Sequence, residues 1–259
     1  MAAALAWTRI KLIVIVHDAD SHPGERAPLL MWLQRRLARR ADALVALSTH
    51  VAERLRAQGL AAPGKPVFAF RHPPMSFGAV PPPPFAHGGP TRLLFFGRLL
   101  AYKGLDLLSE ALTMLRDLPI EVRIVGSGPE SDALAALRGQ PCVTVKNRWV
   151  AEEEIAGVIA WADILVLPYR EASQSGAAAV AIAAGRWIVA TRVGGLTEQL
   201  ADENLAILCE PDSAGLATIL RELCMNRPFT SSKTTEPGGV WLDLATALLT
   251  CSRSEIVRR

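Results

Sequence analysis

Short, uninterrupted apolar runs alternate along this chain with longer stretches in which apolar residues recur every three or four positions. Runs at 10–16, 43–47 and 66–70 predict strands, and helices are predicted at 29–40 and from an N-cap at Ser48 to a stop at Gly59. From residue 91 the same alternation runs longer. Strands are predicted at 92–96, 121–125, 142–145, 163–167, 187–191 and 205–208, interleaved with helices at 104–116, 130–138, 151–161, 176–184, 196–201 and 213–224. Strands apolar throughout and separated by helices are what a parallel sheet covered on both faces requires. The expected fold class is α/β, with two parallel-sheet domains. The first, a βαβαβ unit, has too few strands for a complete doubly wound sheet.

The alternation breaks between Pro73 and Pro90, where Pro81 to Pro84 and Gly88-Gly89 form a stretch unsuited to helix or strand. The expected organisation is therefore a partial N-terminal domain at 1–80, a Pro/Gly-rich linker at 81–90 and a second domain at 91–225. Residues 226–259 form a divergent tail in which 240–249 reads as one more helix.

Composition narrows the field. With 259 residues, half of them hydrophobic and a fifth charged, the chain is neither a disordered tail nor a collagen-like or disulfide-stapled peptide. Cys142, Cys209, Cys224 and Cys251 lie far apart without a CxxC pair, which predicts reduced thiols in a cytoplasmic protein and no zinc site. No apolar run is long enough for a membrane span or a signal peptide. Charge is uneven: residues 1–90 carry 11 Lys and Arg against 5 Asp and Glu, and the remainder 17 against 20. Arg35, Arg36, Arg39 and Arg40 stand beside Leu29, Leu30, Trp32, Leu33 and Leu37. Such a helix suits peripheral contact with an anionic membrane, at the inner face for a cytoplasmic protein. Its alternative is a helix packed on a sheet with solvated arginines. Nucleic acid is not an expected partner, because the basic residues are not interleaved with exposed aromatics.

In parallel α/β sheets ligands bind beyond the carboxyl ends of the strands, so the residues just after each predicted strand carry the functional reading. Gly97-Arg98 and Lys103-Gly104 put two cations beside a helix N-terminus, a site for a pyrophosphate. Glu171 follows a later strand, and Ser173-Gln174-Ser175-Gly176 offers small polar groups and amides to a phosphate or sugar hydroxyl. Gly194-Gly195 reads as another loop of close approach. Gly126-Ser127-Gly128-Pro129 opens like a dinucleotide fingerprint, but Ser131 stands where its third glycine belongs. Asp18-Ala19-Asp20 imitates a metal-binding aspartate pair with too few oxygen ligands. Ser175 lacks the flanking glycines of a nucleophile elbow. His17, directly after the first strand, is either structural or catalytic.

Phe95-Phe96-Gly97-Arg98-Leu99, Lys103 to Asp106, Ile124 to Glu130, Ala162 to Pro168 and Ala190 to Leu196 with Glu198 together resemble the donor domain of family 4 glycosyltransferases of the GT-B fold, over about 91–210. Val14 to Asp18 and Arg40 to Ala43 resemble the later half of that family's acceptor domain. The resemblance implies two Rossmann-like domains, the first N-terminally truncated. It implies a retaining transfer of a hexose from a nucleotide-diphosphate sugar to a glycan or lipid-linked acceptor, with no cofactor and no metal for donor binding. It assigns Arg98 and Lys103, with Gly97, to the donor diphosphate, and Glu171 to the donor sugar. Ser173, Gln174, Ser175 and Gly176 fall to phosphate or sugar, Arg148 to Val150 to the nucleotide base, and His17 to the reacting sugar. The family's second carboxylate has no counterpart, since Ala179 and Val180 occupy that stretch. The alternatives are a non-catalytic nucleotide-sugar-binding protein and a sugar-nucleotide epimerase of the same fold.

Overall fold

The computed structural model describes residues 11–21, 28–228, 241, 242, 244–246, 248 and 249. The chain divides into two compact units, Met1–Pro73 with Gly238–Arg259, and Pro74–Pro237. In the first unit, β1 (Ile13–Val16), β2 (Ala43–Ala46) and β3 (Val67–Ala69) form a parallel sheet in the order β1-β2-β3. The crossovers are α1 (Pro28–Arg40) and α2 (Thr49–Ala57). Ser48 starts α2 as predicted: its Oγ accepts from the Val51 amide at 3.2 Å, satisfying one of the orphan donors of the first turn. α2 buries Val51, Ala52 and Leu55, and β2 is buried at every position. Among the residues of α1, only Ala38 is buried.

The second unit begins its sheet with β4 (Thr91–Phe96), followed by a 3-10 turn (Ala101–Lys103), α3 (Leu105–Thr113), β5 (Ile120–Gly126), α4 (Asp132–Arg138) and β6 (Val143–Asn147). It continues through α5 (Glu152–Trp161), β7 (Ile164–Leu167), α6 (Gly176–Ala183), β8 (Trp187–Thr191), α7 (Gly194–Leu200), β9 (Ala206–Cys209) and α8 (Ser213–Asn226). All six strands are parallel in the order β6-β5-β4-β7-β8-β9. The chain therefore steps outward from β4 on one side and resumes at β7 on the other, leaving a topological switch between those two neighbours. β7 and β8 are buried throughout, which explains why their apolar runs are continuous rather than alternating.

Three expectations change. The helix predicted at 104–116 ends at Thr113, because the amides of Met114 and Leu115 turn back to Ala111 and Leu112. Gly194 and Gly195 open α7 instead of forming a loop, and the Gly195 amide donates to the Ala172 carbonyl at 2.9 Å. The unit boundary falls between Pro73 and Pro74, and the segment 81–90 is fastened within the second unit rather than spanning between domains. Arg186 donates to the Pro82 carbonyl, and Asp163 accepts from the Phe85 amide at 2.6 Å and from His87 Nε2 at 3.0 Å. Of the predicted terminal helix, residues 241, 242, 244–246, 248 and 249 are helical; 229–240 and Cys251 lie outside the described residues. Cys209 and Cys224 are buried free thiols, pushed up to about 11 by desolvation, so neither is a nucleophile near neutrality. No helix among the described residues is long and apolar enough to cross a membrane.

Candidate functional site

The carboxyl edge of the second sheet is built by close backbone contacts at its switch point. A Cβ on Gly104 would lie 1.7 Å from the Pro168 carbonyl oxygen, so only glycine, here at φ 69°, lets the turn after β4 rest on the end of β7. A Cβ on Gly126 would lie 1.6 Å from the Gly97 carbonyl oxygen. The glycines that imitated a dinucleotide fingerprint thus serve the packing of one loop on another. Ser131, in place of the third glycine, caps α4 by accepting from the Leu134 amide at 3.3 Å.

Two cations stand at this switch, each positioned by a tyrosine. Arg98 Nη2 donates to Tyr102 Oη at 2.7 Å, and Lys103 Nζ lies 4.8 Å from the Tyr102 ring centroid and 3.6 Å from that of Tyr169. These are the only tyrosines in the chain, both buried. Cation–π contact of this kind is worth about 0.5–2 kcal/mol, and its larger effect is to fix where the ammonium stands. Arg98 itself is exposed and Lys103 half-buried. Neighbouring Arg170 is already engaged. Its guanidinium pairs with Asp106, and although burial opposes ionisation of Asp106, that pairing outweighs it and holds the carboxyl below its usual range. Glu171, one residue on, is exposed on the same edge.

The Ser173 to Gly176 turn divides by role. Ser175 is buried and inward-facing: its Oγ accepts from the Ala178 amide at 3.2 Å, and its own amide donates to Gln199 Oε1 at 2.8 Å. It is a helix cap, and the expectation that its hydroxyl or amide serves a ligand is withdrawn. Ser173 and Gln174 are half-buried, Gln174 Oε1 has no hydrogen-bond partner, and exposed Gly176 opens α6, whose first-turn amides have no partner within the helix.

Beyond β6 the assignment of Arg148 and Val150 also shifts. Val150 is buried in the core. Arg148 donates its amide to the Gly126 carbonyl at 2.7 Å and both guanidinium nitrogens to Glu154, at 2.8 and 2.6 Å, whose carboxyl that pairing lowers to about 2. The residue between them, Trp149, is 80% exposed on a turn held from both sides. Tyr102 and Tyr169 escape the sequence reading because aromatics beside apolar runs look like ordinary core.

In the first unit, His17 is exposed directly after β1. His72, past β3, is buried, and its Nδ1 donates to the Pro73 carbonyl at 2.9 Å, which leaves Nε2 the acceptor in the neutral ring. Burial pushes the His72 imidazole below its usual range, the Pro73 contact opposes this, and His17 adds to the lowering. Unfolded chains therefore bind a proton that the folded unit resists. Its stability contribution is present above the ordinary imidazole pKa of about 6.5 and declines as pH falls below it. Urea midpoints measured across that range are expected to fall on acidification, and His72→Gln is expected to flatten the dependence. Asp20 is engaged within the unit: its carboxylate accepts from Arg54 at 2.7 Å and from Gln58 at 2.7 Å.

A family model described as glycosyl transferases group 1 matches residues 90–226, and one described as glycosyl transferase 4-like domain matches residues 1–69. D-inositol 3-phosphate glycosyltransferase of Arthrobacter sp. (strain FB24) is 34% identical over 135 residues, covering 49% of this chain and 32% of that protein. GDP-mannose:glycolipid 4-beta-D-mannosyltransferase of Xanthomonas campestris pv. campestris is 28% identical over 106 residues, covering 39% of this chain and 30% of that protein. The matched stretch is thus about a third of either relative's length. Among solved structures, Anabaena Alr3699/HepE in complex with UDP-glucose superposes with a TM-score of 0.75 at 18% identity, over 96% of this chain and 75% of that one. Sucrose-phosphate synthase from Thermosynechococcus elongatus gives 0.68 at 17%, over 97% and 68%. Both likenesses support the two-domain α/β fold of glycosyltransferases.

Proposed function

The chain belongs to the glycosyl transferases group 1 family, and from that premise we propose that it transfers a hexose, with retention, from a nucleotide-diphosphate sugar to a glycan or lipid-linked acceptor. The observation that carries the reading is the tyrosine-held pair Arg98 and Lys103 at the β4/β7 switch. Transfer breaks the bond from the anomeric carbon to the diphosphate, and the electron pair stays on the departing oxygen. Two fixed cations and the amides of Gly176 and Ala177, the first two of α6, offset that charge where it develops, with no metal required. Glu171 lies on the same edge as an acceptor of sugar hydroxyl hydrogen bonds. The resemblance assigns His17, exposed directly after β1, to the reacting sugar.

Trp149 supplies a stacking face for the nucleotide base. β6 is two strands from β4, about 10 Å across the sheet at ~4.8 Å per strand, and its following turn opens on the same carboxyl edge as the cations. Trp149→Ala is expected to cost about 1–3 kcal/mol, or roughly 5- to 150-fold, in affinity for a nucleoside diphosphate. Affinity for inorganic pyrophosphate should not change. Titration calorimetry of both ligands checks it, and an equal loss for the two would remove Trp149 from the base site.

The direct test uses labelled UDP- and GDP-sugars, the donors named for the relatives. Transfer to an added glycan or lipid acceptor supports the reading. Binding without turnover supports a nucleotide-sugar-binding protein instead, and isomerised donor without acceptor supports an epimerase.

A further inference from the structure

We infer that Gln199 is a positioning residue for the donor diphosphate, aiming the first amide of α6 at it through Ser175. The inference rests on the donor reading above and adds to it a side chain buried behind the site. Gln199 lies on α7, 1% exposed, beside buried Leu196 and Leu200. A side-chain amide buried there is costly unless both its ends are paired. Both are, and to one residue: Oε1 accepts from the Ser175 amide at 2.8 Å, and Nε2 donates to the Ser175 carbonyl at 3.0 Å.

The second of those bonds sets a direction. The Ser175 carbonyl and the Gly176 amide belong to one planar trans peptide unit, in which C=O and N–H point in opposite senses. A carbonyl held inward by Gln199 therefore turns the Gly176 N–H outward, and Gly176 is exposed. Ser175 Oγ takes the Ala178 amide at 3.2 Å, so the cap leaves the Gly176 and Ala177 amides to a ligand. Two further fastenings hold the same turn. Thr191 Oγ1 donates to the Tyr169 carbonyl, and the Gly195 amide to the Ala172 carbonyl at 2.9 Å. Thr191, Gly195 and Gln199, four residues apart, thus grip Tyr169, Ala172 and Ser175, three apart. Tyr169 Oη, 3.3 Å from Ser175 Oγ, joins this end of the turn to the ring under Lys103. The amide that Gln199 aims and the ammonium on Tyr169 share one frame.

Gln199→Met keeps the length and volume of the side chain and removes both bonds. In titration calorimetry of the whole chain, well below its melting transition, this variant is expected to bind UDP and inorganic pyrophosphate about tenfold more weakly, the worth of one hydrogen bond to a charged group. The two losses should be equal, because the aimed amide meets the diphosphate and not the base. Asp163→Asn is the control: it loosens the opposite edge of the same sheet, so its melting temperature falls while both affinities hold. Gln199→Glu supplies a rescue, and carries the test alone if the methionine variant does not fold. Its buried carboxyl, titrating above the usual range, donates to the Ser175 carbonyl only while protonated. Relative to the wild type at each pH, its pyrophosphate affinity should therefore recover on acidification from about pH 8 to pH 6. Wild-type affinity of Gln199→Met for both ligands, a loss confined to UDP, or a glutamate variant without pH-dependent recovery would overturn the proposal. A wild type that binds neither ligand would instead overturn the donor reading, and this inference with it.

Discussion

Arg98→Ala with Lys103→Ala is expected to abolish the rise in melting temperature that a nucleoside diphosphate gives the wild-type chain, and to remove transfer with it. A hydrogen bond to a charged group contributes about 1.5–3 kcal/mol, so losing two amounts to roughly 3–6 kcal/mol, or about 10²- to 10⁴-fold in affinity. The double variant should still fold, because Arg98 is exposed, Lys103 is half-buried, and the loop is held by backbone contacts such as Arg170 N to Tyr102 O at 2.8 Å. Its melting temperature without ligand should stay near that of the wild type. Tyr102→Phe separates charge from position. It keeps the ring beneath Lys103 but removes the hydroxyl that Arg98 Nη2 meets at 2.7 Å, so donor affinity should fall by about tenfold, the worth of one hydrogen bond. Thermal shifts with UDP, GDP and ADP read out both variants. A double variant that binds nucleoside diphosphate as the wild type does would move the donor site away from the β4/β7 switch.

How far the sequence carried this site depends on whether the determining contacts are local. β8 is found where its apolar run predicts, because burial on both faces makes periodicity and boundary coincide. Ser48 and Ser131 cap the helices that follow them through contacts three residues away, a spacing visible in any sequence. Ser175 makes the same contact to Ala178, and an N-cap ahead of an alanine-rich helix would have been the local reading. Its resemblance to a ligand-binding turn drew attention from that role. Val150 turns inward, and Trp149 outward, for another reason. Which of two adjacent apolar residues turns inward depends on the turn that Arg148 fixes, through its amide to Gly126 and its guanidinium to Glu154. Placing Tyr169 beneath Lys103 needed the strand order, since β4 and β7 are neighbours only once the sheet is assembled. The segment 81–90 is the largest departure. Proline composition makes it unable to form helix or strand, as expected, yet its contacts to Asp163 and Arg186 lie 76 to 104 residues away in sequence.

Those contacts make Asp163→Ala the substitution with the largest expected effect on stability. The carboxylate is 2% exposed and accepts from the amides of Phe85 and Arg92, at 2.6 and 2.9 Å, and from His87 Nε2 at 3.0 Å. It is also the negative charge nearest in effect to Arg186, which is 3% exposed and whose pKa burial lowers to about 10 against the opposing pull of Asp163. Removing the carboxylate leaves three donors without their partner, at about 1–3 kcal/mol each where water does not replace it, so a loss of about 3–5 kcal/mol is expected. Phe85 adds to this. It holds a positive φ of 62°, a strained conformation for a residue with a side chain, and its amide is anchored on Asp163. At ~2–4 °C per kcal/mol for a unit of this size, the calorimetric transition of the second unit should fall by about 6–20 °C. Asp163→Asn keeps one carbonyl oxygen for the Phe85 or Arg92 amide but loses the charge opposite Arg186, so it should fall between the two. Donor affinity, measured well below the lowered transition, should be unchanged in both, since the clasp grips the amino ends of β4 and β7 and the cations stand at their carboxyl ends. A drop of less than ~1 kcal/mol for Asp163→Ala would mean that water takes over the three donors and that the clasp adds little to the fold.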